Sequence, residues 1–205
     1  MSIFKSLCSN HGFETPCIDE YLEDHRSEIA NILWETQDVP PGETKAMFLS
    51  LLYGAPFVAH CSNTVTKKLG YPVVEILRDE SWFGDFVEEI KKGRDLILGE
   101  CPRNQGVTTN VMGKETDAPE RRKRLAHILF GYERWCLETV CKDFEDTKAL
   151  IYDGWISPKR DVKKLEQSIV ERSTEEFGFP IDLRIEMVII PDSVDEILEM
   201  GVAKQ

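Results

Sequence analysis

The sequence predicts an α+β protein that is mostly helical, with its sheet elements gathered toward the C-terminal end. Three observations predict it. Up to residue 147, apolar residues recur at the three- and four-residue spacing of amphipathic helices. From Lys148 to Ser157, KALIYDGWIS sets Asp153-Gly154 between two apolar, strand-like runs, the strongest short-range hairpin signal. After it, a further helical pattern precedes IDLRIEMVII at 181–190, which opens by alternating apolar and polar residues as a strand does. The chain therefore divides into a helical region, 1–147, and a small hairpin–helix–strand unit, 148–205, read together as one compact domain.

Each element follows from its residues. Over 17–35, Ile18, Tyr21, Leu22, Ile29, Ile32 and Leu33 form one apolar stripe between acidic and basic residues. Val39-Pro40-Pro41-Gly42 breaks it. A second helix spans Pro41 to Tyr53, with Met47, Phe48, Leu51 and Leu52 apolar, and Gly54 and Pro56 stop it. Asn63 or Thr64 caps a short helix that Gly70 ends after Leu69. Ser81 to Leu98 is a longer amphipathic helix with Phe83, Phe86, Val87, Ile90 and Leu96 inward. Residues 99–118 carry Gly, Pro, Asn and Thr without a period and read as the longest loop. Pro119 suits the first turn of a helix to about Phe144. Its stripe is Leu125, Ile128, Leu129, Tyr132, Trp135, Cys136, Leu137 and Val140. Beyond the hairpin, Asp161 opens a helix through Val162, Leu165, Ile169 and Val170 to Gly178. Asp192 or Ser193 caps a last short helix to Met200.

Composition bounds the function. The 205 residues suffice for one real core, and 41% hydrophobic with 30% charged residues is the balance of a water-soluble globular chain. No apolar run approaches the length of a membrane span. MSIFKSLCSNHGF has no apolar signal-peptide core, which points to an intracellular protein, cytoplasmic or nuclear. The six cysteines form no CxxC and read as reduced thiols. The net charge of −12 weighs against simple nucleic-acid binding, since that affinity comes largely from Lys and Arg neutralising phosphates. One local basic run stands out, Arg121-Arg122-Lys123-Arg124. It is either a phosphate-contacting patch or the solvated first turns of a helix balanced by Asp117 and Glu120.

Two motifs bear on chemistry. In KAMFLSLLYG, positions 45, 49, 52 and 53 fall on one helical side. Lys45 there would meet a phosphate, Tyr53 would stack on a base, and Gly54 would permit close approach; the plain alternative is a surface Lys with a C-terminal glycine stop. Asp153 is either a hairpin turn residue or a ligand of a divalent cation such as Mg²⁺, which takes one or two carboxylates together with substrate phosphates.

Taken in order, KAMFLSLLYG, a long helix, LIYDGWIS, a helix and a strand resemble the C-terminal half of a family A DNA polymerase. KAMFLSLLYG looks like its motif B, on the fingers, and LIYDGWIS like its motif C, on the palm. Tyr132-Glu133-Arg134 followed by Tyr152-Asp153-Gly154 looks closer still to divergent polymerase-like proteins of viruses and mobile elements. The resemblance implies a fingers-like helical subdomain before a small palm-like antiparallel sheet. It implies Lys45 as the phosphate lysine, Tyr53 and Gly54 at the nascent base pair, and Asp153 as catalytic metal ligand for Mg²⁺. Arg121, Arg122 and Arg124 are then the nucleic-acid-binding candidates. The departures are specific. Tyr152 replaces the usual His, Gly154 the usual acidic residue and Pro41 the usual Arg. Motif A, with the second carboxylate, is expected upstream of residue 1.

The expected function is thus a polymerase-like module that binds nucleotide or primer–template. If active, it is a DNA-directed nucleotidyltransferase whose second carboxylate comes from elsewhere, for instance from a protein partner. The alternative is a catalytically degenerate protein-interaction module of a virus or mobile element, which fits the acidic charge. A third reading is an unrelated helical viral or phage protein.

Overall fold

The computed structural model describes residues 1–60, 63–101, 103–143, 149–151, 154–156 and 162–182, with backbone alone at 140–143, 149–151, 154–156 and 162. It is an α+β chain dominated by helices. The first helix, α1 (Ser2–Asn10), has no counterpart in the expected elements. Its nine residues bury Ile3, Phe4, Leu7 and Cys8, a stripe too short to declare a period.

Pro16 opens α2 (Pro16–Glu20), which continues through a π-helical turn (Tyr21–His25) into α3 (Arg26–Gln37). This is the helix expected over 17–35, with a π turn inside it. Such a turn carries an extra residue and rotates the stripe that follows. Ile29 and Leu33 remain in the core, whereas Ile32, expected beside them, is 57% exposed. The helix ends at Asp38, at φ 56°, in the left-handed conformation usual for such a stop. Next come α4 (Pro41–Leu52), α5 (Thr64–Leu69) and α6 (Tyr71–Asp79). Asn63 caps α5 as expected, its Oδ1 accepting from Val65 N at 2.8 Å and Thr66 N at 3.3 Å. The helix α6 was not expected. It starts on a Pro in its first turn and buries Val73, Val74 and Leu77.

The 20-residue α7 (Ser81–Glu100) is the hub, packing on α1, α2, α4, α6 and α8. It buries Phe83, Phe86 and Ile90 as expected. Ile97 and Leu98 take the place given to Leu96, which stays partly exposed. An aromatic cluster joins α7 to its neighbours. Phe48 lies 4.6 Å from Tyr21 and 5.4 Å from Phe86, centroid to centroid, and Trp82 stacks on Phe86 at 5.1 Å. Gly93 lets α1 cross close by, because a Cβ there would sit 2.7 Å from both Cys8 Sγ and Phe4 Cζ.

Residues 99–118, expected to be an open loop, instead hold a small antiparallel hairpin of β1 (Thr108–Thr109) and β2 (Glu115–Thr116). Period reading misses two-residue strands. Side-chain hydrogen bonds, not strand length, define this one. Asn110 Oδ1 accepts from Met112 N at 3.0 Å and Lys114 N at 3.1 Å, and Asn110 Nδ2 donates to His127 O at 3.2 Å. His127 and Gly131 belong to α8 (Arg121–Asp143), whose Leu125, Ile128, Leu129, Trp135, Cys136 and Leu137 are buried as expected.

The expected hairpin forms from β3 (Ala149–Ile151) and β4 (Gly154–Ile156), antiparallel, with Leu150 opposite Trp155 and Ile151 opposite Gly154. Asp153 lies outside the described residues. The helix α9 (Val162–Phe177) follows and buries Leu165 and Ile169 in the same core as α1 to α8. Trp135 Nε1 donates to Glu176 Oε2 at 2.9 Å, joining α8 to α9. Ile181 and Asp182, the start of the expected strand 181–190, are not in a strand. Their amides donate to hydroxyls instead, Ile181 N to Ser173 Oγ at 2.8 Å and Asp182 N to Ser6 Oγ at 3.2 Å. The rest of that strand and the last helix, to Met200, lie outside the described residues.

Candidate functional site

The helix α4 has two faces. Thr44, Met47, Phe48, Leu51 and Leu52 are buried, which corrects Leu52, expected on the side of Lys45. The opposite face carries Lys45, Leu49 and Tyr53, each four residues from the next. Lys45 is exposed, Leu49 is 42% exposed and Tyr53 is half-buried. Lys45 makes no ion pair among the described residues, whereas Lys68 pairs with Glu43 of α4 at 2.9 Å. Lys45 and Tyr53 stand roughly 12 Å apart along the axis, at 1.5 Å per residue.

The end of α4 is built to stop sharply. Gly54, at φ 95°, sends its N–H to Leu51 O at 2.9 Å, and Ala55 N reaches Ser50 O at 2.8 Å, the paired bonds of a Schellman stop. A second constraint acts on Gly54. A Cβ there would lie 2.8 Å from Arg94 Nη1, so the guanidinium of Arg94, on α7, rests directly against the glycine. Glu133 of α8 acts electrostatically on Tyr53. Burial, helped by the Glu133 carboxylate, raises the Tyr53 phenol above its ordinary range and keeps it protonated. At the end of α4, Arg94 of α7 thus lies against Gly54, and the field of Glu133 of α8 reaches Tyr53.

No protein family, curated protein or solved structure matches this chain.

The basic run 121–124 is differently placed from an open patch. Arg124 turns inward, its Nε donating to Thr108 Oγ1 at 3.0 Å and its Nη2 to Cys101 O at 3.1 Å, and so pins the β1–β2 hairpin to α8. Arg121 pairs with Asp95 of α7, and Lys123 with Glu120 at 3.0 Å. Arg122 is exposed and contributes to the field that lowers the Glu120 carboxyl, after the Lys123 hydrogen bond. Among the described residues, no three His, Cys, Asp or Glu side chains converge as metal ligands. Asp153, the expected Mg²⁺ ligand, is outside those residues, so nothing here joins it to Lys45. Among the described residues, no helix is long and apolar enough to cross a membrane.

Sequence reasoning missed Arg94. Its signal is a charged residue four positions after Ile90 and three before Ile97, inside the buried stripe of α7. It also missed Glu89, which is 8% exposed and accepts from Ile18 N at 2.8 Å and Cys17 N at 3.1 Å. That carboxylate receives the start of α2 and orients the helix that carries Tyr21 to the aromatic cluster behind α4.

Proposed function

We propose that this chain is a nucleotide-binding module of polymerase-like type, with the ligand lying along the exposed face of α4. The observation that carries the reading is the stripe Lys45–Leu49–Tyr53, ending at Gly54. A cation with no ion pair among the described residues stands at one end of an apolar surface, and an aromatic ring and a glycine stand at the other. A nucleotide has the matching polarity, an anionic phosphate chain joined to a flat base. The resemblance of KAMFLSLLYG to motif B supports the same face.

Nucleotidyl transfer, with Mg²⁺ held at Asp153, is the catalytic extension of this reading. It rests on the motif resemblance and requires a second carboxylate from elsewhere, such as a protein partner. Titration calorimetry with dATP tests the binding reading. Wild type binds, and Lys45→Ala and Tyr53→Ala each weaken binding about tenfold. Equal binding by all three contradicts it. Primer extension with Mg²⁺, with Asp153→Asn as control, tests the catalytic extension.

A second reading, a non-catalytic interaction module, is favoured by the ion-paired state of Arg121 and Lys123 and the inward turn of Arg124, on a chain of net charge −12. Under it, neither dATP nor a primer–template binds.

A further inference from the structure

The residue whose surroundings the α4 motif leaves unexplained is Arg94. It leaves α7 between the buried positions Ile90 and Ile97, and its guanidinium reaches the end of α4. There the guanidinium flanks Gly54. A Cβ at 54 would meet Nη1 at 2.8 Å, Cζ at 3.4 Å and Nε at 3.8 Å, so one side of the planar group lies along the glycine backbone. The side chain of the half-buried Arg94 makes no hydrogen bond and no ion pair among the described residues. Other arginines nearby behave otherwise. Arg121 has Asp95, Arg103 donates to Gly106 O and Asp117 O, and Arg124 donates to Thr108 and Cys101.

A guanidinium carries five N–H donors in a rigid fork, and the Arg94 nitrogens remain within reach of solvent and so of a ligand. An unpaired fork beside a glycine and a tyrosine suits a tetrahedral oxyanion, which it meets with two parallel hydrogen bonds.

We infer that Arg94 is a phosphate-binding residue, gripping the phosphate chain of the nucleotide at the Tyr53–Gly54 end of α4. The inference rests on the nucleotide reading for its ligand and adds to it a second phosphate contact. Arg94 meets the phosphate nearest the base stacked on Tyr53, and Lys45 meets the phosphates toward the other end of the face. The glycine is then required for a second reason besides its φ. Any side chain at 54 displaces the guanidinium.

The test compares inorganic tripolyphosphate and dATP as titrants on wild type, Arg94→Gln and Arg94→Lys, with circular dichroism confirming the fold of each. Arg94→Gln keeps much of the side-chain volume without the charge, and Arg94→Lys keeps the charge without the fork. Expected is wild-type binding of both titrants, weakened about tenfold or more for both in Arg94→Gln, with partial recovery in Arg94→Lys. Wild type that binds dATP and is matched by Arg94→Gln overturns the role of Arg94 and leaves the nucleotide reading standing. Arg94-dependent binding of tripolyphosphate with no gain from the base overturns the nucleotide reading and keeps Arg94 as an anion contact. No binding of either titrant overturns both.

Discussion

The carboxylate of Glu89 accepts the Ile18 amide at 2.8 Å across 71 positions of sequence, and with Cys17 N at 3.1 Å it closes the start of α2 onto α7. The pair is buried, so its loss leaves two helix-start amides without acceptors. Glu89→Ala therefore destabilises the fold by about 2 kcal/mol, and Glu89→Gln, which keeps one acceptor oxygen, by less. Urea unfolding checks both.

The same residue gives a pH dependence. Burial raises the Glu89 carboxyl above its ordinary range, more than the Ile18 and Cys17 amides lower it. A carboxyl raised on folding binds its proton more tightly in the native state. Its contribution is complete at pH below the ordinary glutamate value and is lost as pH rises through the raised one. Wild type thus loses stability relative to Glu89→Gln across that window. Parallel stability curves for the two proteins would contradict the assignment.

Three glycines of α7 separate packing from propensity. Gly93→Ala drives a Cβ to 2.7 Å from Cys8 Sγ and Phe4 Cζ at the crossing with α1 and costs about 1–3 kcal/mol, the range for overpacking. At Gly84 and Gly99 an added Cβ meets nothing within 4 Å, so alanine there stabilises by up to about 1 kcal/mol through helix propensity. Thermal melts of the three variants should move in opposite directions within one helix.

Arg124 and Arg122 differ likewise. Arg124→Ala frees the hairpin from α8, costing about 1–2 kcal/mol and speeding hydrogen exchange at Thr108 and Thr109. Arg122→Ala, at an exposed position, stays within about 0.5 kcal/mol.

The buried thiols provide a check on the core. Burial, with Glu89 and Glu133 respectively adding to it, pushes Cys8 and Cys136 up to about 12. Their thiolate fraction at pH 8 is then roughly a thousandfold below that of a free cysteine. Iodoacetamide at pH 8 should spare both in the native protein and modify both in denaturant.

Legibility in the sequence followed the length of the pattern. Long stripes such as Phe83–Phe86–Ile90 and Leu125–Ile128–Leu129 announced α7 and α8, and Asp153-Gly154 announced the β3–β4 hairpin. Short or locally bonded elements did not announce themselves. The helix α1 has too few turns, the π turn at Tyr21–His25 leaves no mark in composition, and β1–β2 depends on Asn110 bonding. At the candidate site, Lys45, Tyr53 and Gly54 were legible because they belong to one short stretch of sequence, α4 and its stop. Arg94 and Glu133 reach that site from α7 and α8, and tertiary packing alone brings them there.

The central claim is that a nucleotide lies on the exposed face of α4. Photocrosslinking with 8-azido-dATP, followed by peptide mapping, tests it most directly. The account predicts labelling confined to 41–55 and the segment of α7 around Arg94, suppressed by excess dATP and by Tyr53→Ala. Labelling elsewhere, or labelling indifferent to competitor, contradicts it.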